Sequence, residues 1–342
     1  MKIKKILKSS VLLLMDISGI NILYRWINRD KAIIIMYHGI CEGDFDVLSG
    51  YDERHLPKSS FRKQIKYLKD KGYSLISMTA LVDKIERGQK LGKNVVLTFD
   101  DGFQNVVDNA YPIMRELNVK GCFFLVSGLT GTDQLLWTDE VETAIRNAQG
   151  DSFKFSFKGE KIEYQLGGKF LREQAMDDVK AKLRTLPNKE RWEHLKQFET
   201  MEKTDTPNEF KITDWEQIKE LDPEIMEIGC HSRSHPNCGN LTSDDEIKEE
   251  IVLSKKEIEA KLGKEVRHFC YPAGSYNQRI ADEVKQSGCK SAVTVRGGFV
   301  ENDSDLFKLN RMTPDKSFIL FKTRISGSNQ LFRFIRLFKG SS

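Results

Sequence analysis

This chain predicts an α/β fold on a parallel sheet, with one inserted hairpin-and-helix segment. Three observations carry that expectation. Short apolar runs alternate with amphipathic helical stretches from about residue 31 onward, the mark of parallel βαβ units. One such run, Val95-Val96-Leu97-Thr98-Phe99, ends on Asp100-Asp101-Gly102. The C-terminal edge of a parallel sheet is where ligands and chemistry collect. The alternation then breaks between about 129 and 211, where a different pattern intervenes.

The elements follow in chain order. In residues 1–30, Ile3, Ile6, Leu7, Val11, Leu14, Ile17, Leu23, Trp26 and Ile27 recur near helical spacing among lysines and arginines, so this segment reads as a basic amphipathic helix. Asp16 interrupts its apolar run and no Ala-x-Ala-like site follows, so a secretory signal is not expected. The stretch is also too short and polar to span a bilayer. It can pack on the fold or lie on an anionic membrane. The basic-apolar run Leu331 to Lys339, in a tail taken as 316–342, tilts the expectation toward membrane contact.

The main domain is expected over 31–315. Ile33 to Met36 form an apolar strand ending in Tyr37-His38-Gly39. Ser60-Phe61 opens a helix to about Lys71, with Phe61, Ile65 and Leu68 on one face. Tyr73 to Met78 is strand-like, and Thr79 is expected to cap a helix ending near Gly88. After the double-aspartate strand come a helix from about Val106 to Leu117 and a strand from Gly121 to Val126.

The insertion has its own signals. Phe153, Phe155 and Phe157 alternate with polar residues, Lys158-Gly159 turns, and Ile162, Tyr164 and Leu166 alternate again. That is a β-hairpin pattern. Two charged helices are expected at about 169–185 and 188–203. Thr213-Asp214-Trp215 then caps the helix before the next strand, with Trp215 structural.

Composition bounds the partners. The chain has 342 residues, 39% hydrophobic and 30% charged, with net charge +4. That suits a soluble globular protein with an ample core and makes no case for nucleic acid. Six cysteines show no C-x-x-C pair. Reduced, buried thiols and a cytoplasmic location, peripheral to the inner face of the membrane, are the expectation.

Two motifs carry the chemistry. Adjacent side chains on a strand point to opposite faces, so Asp100 and Asp101 can serve together only where the chain turns, and Gly102 permits a turn. One carboxylate can then bind a metal while its neighbour stays free as a base. The segment Glu227 to His235 places His231 and His235 four apart after a strand-like run. Two imidazoles and one carboxylate make a donor set that leaves metal positions open for water and substrate.

With Arg267-His268-Phe269-Cys270-Tyr271-Pro272-Ala273-Gly274 added, the chain resembles the polysaccharide deacetylases of carbohydrate esterase family four, the NodB-homology group. The three motifs occur in the family's order, over roughly 31–315. The resemblance implies a distorted (β/α) barrel of about seven parallel strands. It implies that Asp101, His231 and His235 hold a divalent metal, with Asp100 as general base and Arg267 orienting it. It also implies that the turn from Tyr271 presents a backbone N–H, that of Ala273, to the developing oxyanion.

Many members carry a late Leu-x-His as general acid, but no histidine follows His268 here. The early Tyr37-His38 instead resembles the poly-N-acetylglucosamine deacetylase subgroup, which implies His38 as acid. Trp137 is a candidate to bring an aromatic ring to the sugar, or equally to anchor the insertion. His55 reads as a loop residue, His194 as solvated and His268 as structural.

The expected reaction is metal-dependent hydrolysis of N-acetyl groups on an amino-sugar glycan, whether a polymer or a lipid- or nucleotide-linked unit. Zinc is the first expectation for the metal; cobalt, nickel, iron and manganese also suit the donors. An inactive carbohydrate-binding or scaffold relative and a hydrolase of a non-sugar amide are the alternative readings.

Overall fold

The protein is described from a computed structural model covering residues 17–43, 54–199 and 207–331. Most of the expected basic N-terminal segment and of the run from Leu331 to Lys339 lies outside the described residues.

Among the described residues eleven strands are formed: β1 (Ile33–Tyr37), β2 (Gly39–Cys41), β3 (His55–Pro57), β4 (Ser74–Leu75), β5 (Asn94–Phe99), β6 (Gly121–Leu125), β7 (Ser152–Phe157), β8 (Glu160–Gln165), β9 (Met226–Cys230), β10 (His268–Cys270) and β11 (Ser291–Val293). Seven make one parallel sheet in the order β1-β5-β6-β9-β10-β11, with β4 also paired to β5. Ile33, Ile34, Ile35, Val95, Val96 and Leu97 are fully buried. Each such side chain contributes roughly 1.5–3 kcal/mol of transfer free energy.

The sheet curls until its ends meet. Segment 309–312 bridges them: Leu309 pairs with Val293 of β11, and Met312 pairs with Ile35 of β1. The Met36 N–H donates to Met312 O at 2.9 Å, and the Met312 N–H donates to Ile34 O at 2.7 Å. The expected distorted barrel of about seven parallel strands is therefore found, sealed by a short late segment that the sequence reading did not single out.

Most expected helices form with small shifts. The first barrel helix is Lys58–Asp70, burying Phe61, Ile65 and Leu68. The next is Met78–Glu86, and its cap is Ser77, not Thr79: the Ser77 hydroxyl accepts from the Ala80 N–H. The stretch after the double aspartate opens with a wide π-helical turn, Val106–Ala110, before the helix Tyr111–Leu117. Asp214 caps Trp215–Lys219 in a reciprocal box with Gln217, worth about 1 kcal/mol.

The insertion folds around its own apolar cluster, which includes Trp137, Ile145, Phe155, Met176, Leu183 and Phe198. β7 and β8 pair antiparallel across Lys158 and Gly159, both in left-handed backbone. A two-residue hairpin turn requires that geometry. The helices Lys169–Arg184 and Asn188–Glu199 follow.

Candidate active site

β5 delivers the two aspartates to the C-terminal edge of the barrel, and the chain turns between them. The Asp100 N–H still donates to Tyr37 O at 3.0 Å, extending the ladder with β1. Asp101 and Gly102 then take φ values of 75° and 81°. The reversal sends the two carboxylates in different directions. Four of the seven non-glycine residues in left-handed backbone among the described residues are Asp101, Ser232, His235 and Ala273. Such strain persists where the surroundings over-determine the geometry, as at functional sites.

β9 carries the histidine pair. The His231 N–H donates to Leu125 O at 2.8 Å, fixing it at the strand end. The turn through Ser232 brings the two imidazole centroids to 5.0 Å. Buried Glu250 holds this turn, accepting from the Arg233 and Ser234 N–H groups, each at 2.9 Å.

Asp101 Oδ1 lies 3.3 Å from His231 Nε2 and 3.4 Å from His235 Nε2. The other nitrogen of His231, Nδ1, is 2.7 Å from Cys270 O. A carbonyl can only accept, so that nitrogen carries a proton, and Nε2 is the ring atom left to face Asp101 and to ligate a cation in the neutral imidazole. Asp101 Oδ1 is buried with no hydrogen-bond partner. One carboxylate oxygen and two imidazole nitrogens converging on a single point fit a divalent cation. A second convergent set, Asp100, His231 and Cys270, fits less well, because Asp100 has both oxygens engaged elsewhere.

Those oxygens are held by Arg311. Its NH1 donates to Asp100 Oδ1 and its NH2 to Oδ2, each at 2.7 Å. The same guanidinium donates to Thr98 Oγ1 at 3.1 Å and, through Nε, to Thr294 O at 2.7 Å. Burial alone would raise the Asp100 pKa; the charge and hydrogen bonds of Arg311 outweigh it and hold the carboxyl below its ordinary range. Burial likewise opposes ionisation of Asp101, and the two facing imidazoles hold it well below the usual value.

The expectation that Arg267 orients Asp100 is corrected here. β10 is three residues long and begins just after Arg267, so Arg267 sits at the opposite edge of the sheet. Its Nε is 3.9 Å from Glu265, and it lines a separate cleft with Thr79, Glu227 and His268.

Trp137 is also corrected. Its ring is buried in the insertion core beneath the Arg191 guanidinium, 4.7 Å from the ring centroid. Its Nε1–H donates to His235 O at 3.2 Å, so it braces the histidine turn rather than meeting a sugar. Tyr271 is buried too, with its hydroxyl donating to Phe307 O at 3.1 Å. Only its carbonyl serves the turn, accepting from the Gly274 N–H at 2.8 Å.

His38, Asp100, Asp101, His231, His235 and Ala273 all line one cavity of about 440 Å³, a ligand-sized volume. His38 Nε2 stands 3.9 Å from Asp100 Oδ2. The rest of the wall was not foreseen. Arg54 lies 3.9 Å from Asp101 and donates to buried Asp139 at 2.6 Å. Asp177, Lys180 and Arg184 come from the inserted helix. Three other histidines stay out of the cavity. His55 is in β3, fully buried, with Nδ1 3.2 Å from Asn105 Nδ2, and is not a loop residue. His268 bonds the Thr79 and Ser291 hydroxyls, each at 2.9 Å, and His194 packs near Phe157.

Comparison with known proteins agrees with this geometry. The family model described as polysaccharide deacetylase matches residues 87–155 and 173–292. A Bacillus subtilis protein named for polysaccharide deacetylation, YxkH, is 20% identical over 291 residues, covering 84% of this chain and 74% of its own. A Staphylococcus epidermidis poly-beta-1,6-N-acetyl-D-glucosamine N-deacetylase is 24% identical over 112 residues, which is 30% of this chain and 39% of that protein. In fold, the Streptococcus pyogenes deacetylase PplD superposes with a TM-score of 0.55 at 18% identity, over 84% of this chain and 93% of that one.

Proposed function

The chain belongs to the polysaccharide deacetylase family, and on that premise we propose that it hydrolyses N-acetyl groups of an amino-sugar glycan, releasing acetate. One observation carries the reading: the convergence of Asp101, His231 and His235 beside Asp100 and His38 in a single cavity.

Asp101, His231 and His235 would hold the divalent cation, with zinc the first choice for two imidazoles and a carboxylate. When bound, the cation supplies Lewis-acid charge at the acetamide carbonyl. Asp100, ionised and fixed by Arg311, accepts a proton from the attacking water. His38 gives a proton to the departing amine. Ala273 lies on the same cavity wall, where its backbone N–H can meet the developing oxyanion. The inserted helix covers one side of the cavity with Asp177, Lys180 and Arg184, which narrows the glycan's approach.

The placement proposed is cytoplasmic, which favours a lipid- or nucleotide-linked unit; export would favour a finished polymer. The burial of all six cysteine thiols supports that placement. The name of the Staphylococcus epidermidis relative makes a β-1,6-linked N-acetylglucosamine oligomer the first substrate to try. The test is acetate release by the metal-loaded protein from that oligomer, from a lipid-linked N-acetylhexosamine and from a set of cyclic amides. Release from either sugar supports the reading and selects the linkage. Turnover of the cyclic amides alone replaces it with a non-sugar amidase, and binding of sugars without turnover replaces it with a binding role.

A further inference from the structure

The helix Ile20–Ile27 is seated on the barrel with its polar side inward. Asn21 is buried, and its Oδ1 accepts from the Ser326 and Ser328 hydroxyls at 3.1 and 2.6 Å. Asn28, just past the helix, donates to Ser326 O at 3.0 Å, and Arg25 donates to the Tyr67 hydroxyl at 2.9 Å. The apolar side faces away from the protein. Ile17, Ile22, Leu23, Trp26 and Ile27 are each more than half exposed, and they are five of the eight large apolar side chains exposed among the described residues.

A helix that only packs on a domain shows the reverse arrangement, with the apolar stripe toward the core. Here hydrogen bonds hold the helix, while contiguous apolar side chains are left outside. An exposed patch of this kind marks an interaction surface.

Charge identifies the occupant. Arg29 stacks on the outward Trp26, its guanidinium 4.4 Å from the ring centroid. The sequence leading into this helix carries Lys2, Lys4, Lys5 and Lys8 against the single acid Asp16. The helix Phe318–Ser326, against which Ile20–Ile27 packs, leads into Arg333, Arg336 and Lys339 with no acid among 331–342. Two cationic, apolar-rich stretches therefore attach to one corner, beside an outward Trp and four branched aliphatics. Such a combination suits the headgroup boundary of an anionic bilayer, where apolar burial and attraction to acidic lipid add. A second copy of the same corner would bring like charges together.

We propose that the outward face of helix Ile20–Ile27 seats the protein on an anionic membrane surface. The end of this helix lies at the N-terminal edge of the sheet, where Arg29 O approaches Gly92 just before β5. The cavity opens at the opposite edge and stays accessible. The inference does not depend on the proposed reaction.

The test is flotation of the full chain with phosphatidylcholine vesicles, with and without phosphatidylglycerol. Wild type is expected to float with the anionic vesicles only. The variant Leu23→Gln/Trp26→Gln/Ile27→Gln, checked for an unchanged unfolding midpoint, is expected to lose roughly tenfold or more of that partitioning. The pair Ile22→Gln/Leu23→Gln serves if the triple variant unfolds. Wild type that stays unbound, binds neutral vesicles equally, or binds as well after substitution would overturn the proposal. So would a concentration-dependent dimer, abolished by the same substitutions, in wild type that does not float.

Discussion

Arg311 grips both carboxylate oxygens of Asp100 at 2.7 Å, and it does so from the segment that closes the barrel between β11 and β1. Closure of the fold and orientation of the proposed base are thus one structural event. A bidentate guanidinium fixes the plane of the carboxylate as well as its charge.

Removing the guanidinium leaves Asp100 buried and uncompensated. Arg311→Met is expected to cost about 3–5 kcal/mol of stability. Arg311→Lys recovers part of that at most, because an ammonium cannot reproduce the fork. Denaturant unfolding checks this; a loss within about 1 kcal/mol for Arg311→Met would contradict the linkage of closure and base.

Glu250 is the support of the histidine turn. It accepts from two backbone N–H groups, and the Ser234 hydroxyl donates to it at 2.5 Å. Glu250→Ala is expected to weaken zinc affinity by about 10–100-fold, as loss of an outer support does. Calorimetric titration with zinc measures it, and unchanged affinity would show that the turn holds without Glu250.

Arg267 stands at the opposite edge of the sheet from the cavity, beside Glu265. Arg267→Ala is therefore expected to change kcat/KM for acetate release by no more than about twofold, less than 0.5 kcal/mol. A loss of about a hundredfold would restore Arg267 to the site.

His268 gives a pH dependence of stability. Burial, and then the charge of Arg267, push its pKa down to about 3, against about 6.5 unfolded. Between those values the unfolded chain binds the extra proton, so stability falls as pH falls, by about 1.4 kcal/mol per unit. From about pH 6.5 to 5 the contribution lost is about 2 kcal/mol. The stability advantage of wild type over His268→Gln should shrink by about that amount in urea unfolding across this window. A constant difference would mean that His268 takes up its proton in the native state.

The legibility of the site followed the range of its contacts. Asp100, Asp101, His231 and His235 were readable because strand, turn and side chain sit within a few consecutive residues. The hairpin was readable for the same reason, from the alternation of Phe153, Phe155 and Phe157. Arg311 was not, because its meaning depends on closure of a barrel whose other wall lies more than 200 residues away; an arginine between Leu309 and Met312 was the one local hint. Arg267 misled because a short strand separates it from the site edge, and each strand residue advances the chain by about 3.3 Å. Trp137 misled because an aromatic beside a turn reads alike whether it faces a ligand or a core.

The central claim is tested most directly by acetate release from a β-1,6-linked N-acetylglucosamine oligomer, comparing zinc-loaded wild type with Asp100→Asn at matched zinc occupancy. The account predicts release by wild type and a loss of about a hundredfold or more in the variant, as expected when a general base is removed. Equal release by both proteins would contradict it.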